Sequence, residues 1–291
     1  MTTDVPLEGV LPVDKPIGPT SHDVVGAVRR ALRTRRVGHT GTLDPFASGL
    51  LLVCVGSATR IAEYLTGLNK RYAAQVRLGV ATDTDDATGA VLSEAGATAI
   101  TRAAVEAVLA GMTGDVLQRP PAYSAKKVAG ERAYAAARAG RALELEPVRV
   151  RIDELRITVF EPPVLELDVA CGSGTYIRAI ARDLGEALGV GAHLSALRRT
   201  RVGDHDVAGA VPVAELGDTD RVRAAMIPSA DALSGMPKVT LDEGQLAHIR
   251  HGRPVKAAPG DDGVVALVAS GTLVAIGQRT GDVIRPRKVM A

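Results

Sequence analysis

The chain has 291 residues, 46% of them hydrophobic and 23% charged, a balance that suits one large domain plus a small one or two of middling size and excludes disorder, collagen and coiled coil. Cys54 and Cys171 show no CxxC spacing, so neither a disulfide framework nor a thiolate metal site is indicated. The longest apolar run, around Leu50 to Val55, falls far short of the ~20 residues of a membrane span. The first ten residues lack the basic-then-apolar pattern of a signal peptide, and a cytoplasmic protein with no membrane partner is expected. The net charge is only +2, from 35 basic and 33 acidic residues, but its distribution is uneven. Arg29, Arg30, Arg33, Arg35 and Arg36 crowd together, and between Arg119 and Arg141 the bases face a single acid, Glu131. Such patches fit either a nucleic-acid surface or a solvated helix face.

In chain order, PTSHDVVGAVRRALR reads as an amphipathic helix with Thr20 or Ser21 as N-cap, Asp23 in its first turn, and Val24, Val25, Val28 and Leu32 on one face. GLLLVCVG suits a buried strand, SATRIAEYL a short helix and KRYAAQVRLGV a second strand. TRAAVEAVLAGM is a helix closed by Gly114, and VRVRIDELRITVF and VLELDVA are strands joined by a turn at Glu161-Pro162-Pro163. TYIRAIARDLGEAL is a strong helix. Past about residue 204 the chain is acidic and broken by Gly and Pro, a connector with short helices. From residue 237 onward short strands and turns predict a small β-rich appendage ending in Arg279, Arg285, Arg287 and Lys288. Strands and helices do not alternate regularly, so α+β is expected over a doubly wound sheet.

Several motifs fail. GVATDTDDATG places Asp83, Asp85 and Glu94 like calcium-loop ligands, but Ala87 and Thr88 stand where an oxygen ligand and a glycine are needed; turn capping or pairing with arginines is the better reading. CGSGTYIRAIARDLG has Ile177 where a dinucleotide fingerprint needs glycine, and no GK[ST] follows. His248 and His251 lie three apart on a predicted helix without a further ligand. By contrast GHTGTLDPFASGLLLVCVG, residues 38 to 56, surrounds one carboxylate, Asp44, with glycines, threonines and Pro45 just before a buried strand. That is a rigid, closely approached loop, although Asp-Pro also opens ordinary turns.

With that loop, the blocks VDKPIGPTSHDVV, RRVGHTGTLDPFASGLLLVCVGSATR, KRYAAQVRLGVATDTDDATG, PPAYSAKKVAGERAYAAARAG and CGSGTYIRAIARDLGEALGVGAHLSALRRTRVG run in order over residues 10 to 203. The chain closely resembles the TruB-type tRNA pseudouridine synthases. The resemblance implies an α+β fold with a mixed, largely antiparallel sheet and flanking helices. A catalytic domain over 1–236 would carry an RNA-clamping insertion at about 119–146, its hinge marked by Pro120, Pro121, Gly130 and Gly140. A PUA-like RNA-binding domain would span 237–291. The implied activity is isomerisation of uridine to pseudouridine at position 55 in the T loop of tRNA, by base flipping, without cofactor or metal; a monomer is the expected state.

By the same resemblance Asp44 corresponds to the catalytic aspartate, Arg178 to the arginine paired with it, and Tyr176 to the tyrosine beside the base's C5. Tyr72 corresponds to the tyrosine that stacks on the target base, Leu197 to a pocket-wall leucine, and His39 to the histidine that packs into the opened T loop. Lys15, Lys70 and Arg71 are candidate phosphate contacts. The family's proposed routes have the aspartate attack C1′, attack C6, or take a proton from C2′; each needs Asp44 ionised, a state that a neighbouring cation favours. Arg60 departs from the family's frequent Lys. Two other classes remain: a non-catalytic tRNA-binding, remodelling protein, and a glycosidase-like hydrolase, which lacks an evident second carboxylate near Asp44.

Overall fold

The computed structural model describes residues 7–124, 141, 143, 145–258 and 260–290, with the backbone alone at 127–128 and 131–132. Most of the insertion expected at 119–146 therefore lies outside the described residues. In chain order the elements are β1 (Gly9–Lys15), α1 (Ser21–Ala31), β2 (Val37–His39), β3 (Ser48–Val55), a 3-10 segment over Gly56–Ile61 and α2 (Ala62–Thr66). Next come β4 (Lys70–Leu78), β5 (Val80–Thr82), β6 (Val91–Glu94), α3 (Arg102–Gly111), β7 (Gly114–Gln118), and the short pair β8 (Lys127–Val128) and β9 (Glu131–Arg132). They are followed by β10 (Val148–Glu161), β11 (Val164–Cys171), α4 (Ile177–Ala187) and β12 (Ala192–Val202). The remainder holds β13 (His205–Asp206), β14 (Val211–Pro212), α5 (Thr219–Ala225), α6 (Ser229–Ala232), β15 (Lys238–Thr240), α7 (Glu243–Arg250), β16 (Val255–Lys256), β17 (Gly263–Ala269), β18 (Thr272–Thr280) and β19 (Val283–Val289). This is the α+β class that the sequence predicts. Among the described residues no helix is long and apolar enough to cross a membrane.

Two units share the chain. The first comprises the residues up to Leu43, Leu50–Gly67 and the chain from Gly203 onward; the second comprises Asp44–Gly49 and Leu68–Val202. In the first, Thr20 caps α1 with a full capping box, its side chain accepting from the Asp23 N–H while Asp23 accepts from the Thr20 N–H. The face so aligned buries Val24, Val25 and Val28 against Leu11, Val13, Leu51, Val53 and Val55. The terminal part of this unit is a five-stranded sheet in the order β15-β17-β18-β19-β16, its core built on Ile249, Leu267, Ala275 and Ile284. Lys288 on β19 pairs with Glu63 and lies over the Tyr64 ring, while Arg60 donates to the Val289 carbonyl. The Arg60 that departs from the family pattern is thus used inside this unit.

In the second unit β12, β4, β11, β10 and β7 form a run of antiparallel neighbours, and the first residues of β3 add to β12 in parallel through Arg198 opposite Ser48 and Arg199 opposite Gly49. Gly49 is required there: its φ is +104°, and a Cβ would stand 2.3 Å from the Arg199 carbonyl oxygen. β10 and β11 meet at the turn predicted by Glu161-Pro162-Pro163. α4 buries Ile177, Ala179, Ile180, Ala181 and Leu184. It approaches the start of β12 so closely that a Cβ on Gly185 would lie 2.2 Å from the Ala192 nitrogen. That contact holds the last turn of α4, which carries Gly185, against the start of β12.

Candidate active site

Asp44 opens a turn in which its carbonyl accepts from the Ala47 N–H at 3.1 Å, with Pro45 pre-set for the second position. The turn delivers the chain to Ser48 and Gly49 beside β12, so the carboxylate is fixed by rigid backbone on its C-terminal side. Its Oδ2 lies 3.0 Å from Nε of Arg178, whose side chain is 6% exposed against 37% for Asp44. A charged group buried to that degree must be satisfied on all its donors. Each nitrogen of Arg178 has a partner: beyond Nε, Nη1 donates to the Thr84 carbonyl at 2.8 Å and faces Asp86 Oδ2 at 3.4 Å, and Nη2 donates to the Tyr123 carbonyl at 2.9 Å. Asp86 is in turn held through Oδ1, which accepts from Thr84 Oγ1, the Thr88 N–H and Thr88 Oγ1 at 2.6–2.9 Å. The guanidinium is therefore a preorganised cation with one edge directed at a half-exposed carboxylate.

The carboxylates of ATDTDDATG do what the rejected calcium motif left to them. Asp83 accepts from the Ala90 N–H, Asp85 pairs with Arg182 at 3.0 Å, and Asp86 pairs with Arg178. Among the described residues no group of three or more His, Cys, Asp or Glu is arranged to hold a metal ion.

Tyr72 on β4 lies opposite Val169 and Arg199 on its two neighbouring strands and is buried. Burial pushes its phenol above the usual tyrosine range, with Arg199 opposing and the charges of Cys171 and Asp44 adding. The ring therefore stays protonated near neutral pH and offers a face and an O–H. Leu197, opposite Ala74, shares that side of the sheet and is buried. Tyr176 stands at the N-cap of α4, and its backbone is clamped in both directions by the buried Gln118 side chain, which donates to its carbonyl at 3.0 Å and accepts from its N–H at 2.8 Å. The second unit thus brings together Asp44, Arg178, Tyr72, Tyr176 and Leu197. Asp86 and Gln118 belong to the same constellation, and sequence reasoning missed both.

His39 and Lys15 belong to the first unit. His39 ends β2, accepts from the Gly41 N–H through Nδ1 at 3.3 Å, and meets His22 edge-on at 6.2 Å. The following loop is pinned by Ser21, whose hydroxyl both donates to the Leu43 carbonyl and accepts from the Leu43 N–H. The three candidate phosphate contacts fare differently from expectation. Lys15 is 0% exposed, and its ammonium donates to the carbonyls of Pro16 and Pro19 at 2.9 Å, holding a loop instead of meeting a phosphate. Arg71 alternates to the opposite side of β4 from Tyr72 and is engaged by Asp168 and Glu154 at 2.7–2.8 Å. Lys70 shares the Tyr72 side but is buried, donating to the Leu68 carbonyl. A lone sequence position does not say whether a cation turns toward water or toward backbone carbonyls.

Burial, with the Arg199 charge adding and Cys171 opposing, brings the Lys70 amine down to about 8 from an ordinary 10.5. A folded value below the unfolded one makes the charged amine a cost that is fully present below pH 8 and fades as the pH climbs to 10.5. Lys70→Met is accordingly expected to raise the thermal midpoint relative to the parent by more at pH 7 than at pH 10. An equal difference at both pH values in a calorimetric scan would count against this account.

Comparison with known proteins gives the same direction. A family model for the TruB family pseudouridylate synthase N-terminal domain matches residues 29–177. Models for the tRNA pseudouridylate synthase B C-terminal domain and for the C-terminal region of pseudouridine synthase II TruB match 178–233 and 237–290. A protein of Arthrobacter sp. named tRNA pseudouridine synthase B is 44% identical over 300 residues, covering 98% of this chain and 97% of its own. One of the same name from Symbiobacterium thermophilum is 49% identical over 249 residues, covering 84% and 82%. Among solved structures, a chain of an H/ACA RNP bound to a substrate RNA containing 2′-deoxyuridine superposes with a TM-score of 0.76 at 26% identity, covering 98% of this chain and 86% of that one. A chain of an archaeal box H/ACA sRNP Nop10-Cbf5 complex gives 0.75 at 26% identity, with 98% and 87% covered. With an arginine-held carboxylate at the GHTGTLDP loop and relatives this similar along nearly the whole chain, the protein belongs to the TruB family of pseudouridylate synthases.

Proposed function

We propose that this chain isomerises uridine to pseudouridine at position 55 in the T loop of tRNA, with Asp44 as the catalytic carboxylate. The coarser part follows from the family and from the relatives' shared name: the chain is a tRNA pseudouridine synthase, an isomerase acting on RNA. The observation that supports the finer part is the 3.0 Å pairing of Asp44 Oδ2 with the buried Arg178. In the reaction the N1–C1′ bond breaks, the uracil turns, C5 bonds to C1′, and the C5 hydrogen leaves while N1 gains a proton. Asp44 can begin it by attacking C1′ or C6, or by taking a proton from C2′; all three use an ionised oxygen within reach of a nucleotide, which its half-exposed side chain offers.

A uridine inside a folded T loop must first be extruded, at a cost of a few kcal/mol. Tyr72 would return part of it by stacking, worth roughly 1–3 kcal/mol. Tyr176, fixed by Gln118, would stand beside C5 as it loses its proton; Leu197 would wall the base, and His39 would pack into the opened T loop beside the flipped nucleotide. Residues 1–236 would be the catalytic domain, with the insertion near 119–146 closing on RNA, and 237–291 the PUA-like RNA-binding domain of a cytoplasmic monomer that uses no cofactor or metal. The test is tritium release from a tRNA transcript labelled at uridine C5, in EDTA, followed by mapping of the modified position. Release stoichiometric with one T-loop uridine is expected; loss of release on chelation, or modification outside the T loop, would overturn the corresponding part.

A further inference from the structure

Arg182 follows Arg178 by one turn of α4 and so occupies the same helix face. Its contacts repeat those of Arg178 one step further along. Nη1 lies 3.0 Å from Asp85 Oδ2, and Nη2 donates to the Arg119 carbonyl at 2.8 Å; Nε donates to Asp183 Oδ1 at 2.8 Å. Arg178 in the same way takes Asp86 on one side and the Tyr123 carbonyl on the other. Two consecutive carboxylates thus meet two arginines a helical turn apart, and two carbonyls four residues apart in sequence run along the opposite edge of the same pair.

Consecutive side chains of an extended segment point to opposite sides, so an ordinary backbone would not present Asp85 and Asp86 to one helix face. Asp85 sits at φ +60°, a left-handed conformation that a residue with a side chain holds only when its surroundings enforce it. The enforcement is visible. The Asp85 carbonyl accepts from the Leu194 N–H, the Ala87 N–H donates to the Leu194 carbonyl, and the Thr82 hydroxyl donates to the Asp86 carbonyl. On the other edge, Gln118 locks the Tyr176 backbone at the start of α4. The segment from Gln118 to Tyr123 is therefore laid against the first two turns of α4 by Gln118, Arg182 and Arg178 in succession.

We infer that Arg182 and Asp85 are positioning residues for the isomerisation, fixing the Asp85–Asp86 turn and the Gln118–Tyr123 segment so that Arg178 meets Asp44 in one geometry. The inference rests on the reading of Asp44 as the catalytic carboxylate. Both side chains are largely buried, at 19% and 12% exposure, and the groups they pair with, each other, Asp183 and the Arg119 carbonyl, lead to the chemistry through the elements that hold Arg178. A lysine at 182 keeps a charge for Asp85 but, as a single point donor on a flexible stem, does not span Asp85, Asp183 and the Arg119 carbonyl together.

The experiment is single-turnover pseudouridine formation by Arg182→Lys and Asp85→Asn, with tRNA affinity and thermal midpoint measured on the same preparations and Asp44→Asn alongside. Arg182→Lys is expected to lose about tenfold or more in rate, as a small misplacement of catalytic groups does, with affinity within about twofold of the parent. In combination with Arg178→Lys it is expected to add little, since both act on one guanidinium position. Asp85→Asn, which changes no volume, is expected to show the same split and carries the test if the lysine variant fails to fold. A parental rate in either folded variant, a loss confined to affinity, or full additivity with Arg178→Lys would overturn the inference. An Asp44→Asn protein with parental activity would instead overturn the catalytic reading on which it rests.

Discussion

Asp44→Asn is expected to reduce tritium release from C5-labelled tRNA by about four orders of magnitude or more, the scale seen when a group that begins the chemistry is removed. Asparagine has nearly the same shape and keeps one acceptor oxygen, so little else should change. Arg178 would keep the carbonyls of Thr84 and Tyr123 and its pairing with Asp86, and the half-exposed position of residue 44 means that no buried charge is stranded. The affinity for tRNA is therefore expected to stay within about threefold, and the unfolding midpoint close to that of the parent. The combination distinguishes an isomerase from a protein that only binds and remodels tRNA. In the latter Asp44→Asn would change neither affinity nor any downstream readout, and the parent itself would release no tritium. Release of free uracil, seen as a deficit in a mass balance on the RNA, would instead indicate a hydrolase.

Arg178→Lys comes second in expected effect and differs in kind, because it should cost both rate and stability. The guanidinium meets two carbonyls and two carboxylates from a nearly inaccessible position. An ammonium has one nitrogen with which to replace three. At least one of the Thr84 carbonyl, the Tyr123 carbonyl and Asp86 would lose its charged donor while buried, a penalty of about 1–3 kcal/mol. Asp44 would lose the oriented partner that favours its ionised form, with an expected fall in rate of about 10²–10³-fold. Assays well below the lowered midpoint separate the two effects. A variant that is destabilised but fully active would show that Arg178 serves the fold alone.

Much of this architecture is legible in the sequence where local physics decides it. The Thr20 cap and the valines of α1, the apolar β3, the turn at Pro162 and Pro163 and the amphipathic α4 each follow from a cap, a period or a turn residue. β12 does not: SALRRTRVG carries a buried Arg199 where alternation calls for an apolar residue, and two irregularities in its pairing with β4 break the period of two. At the site, Asp44 and Arg178 are found by motif, but the support beneath them is non-local. Thr84 lies 94 positions from Arg178, and Gln118 lies 58 from Tyr176. Nothing in ATDTDDATG or GDVLQ announces which arginine or which backbone group will meet it. The failed calcium pattern left its carboxylates to turn capping or pairing with arginines without singling out Asp86.

The pairing of β3 with β12 also has a meaning in time. The Arg198 and Ser48 side chains that meet across it are 150 positions apart, which at ribosomal speeds of about 5–20 residues per second is roughly eight to thirty seconds of synthesis. For most of that interval the nascent chain carries Asp44 but neither the strand that anchors its turn nor the arginine that faces it. The geometry around Asp44 is thus completed late in synthesis, set by the emergence of α4 and β12 and not by the appearance of the carboxylate itself.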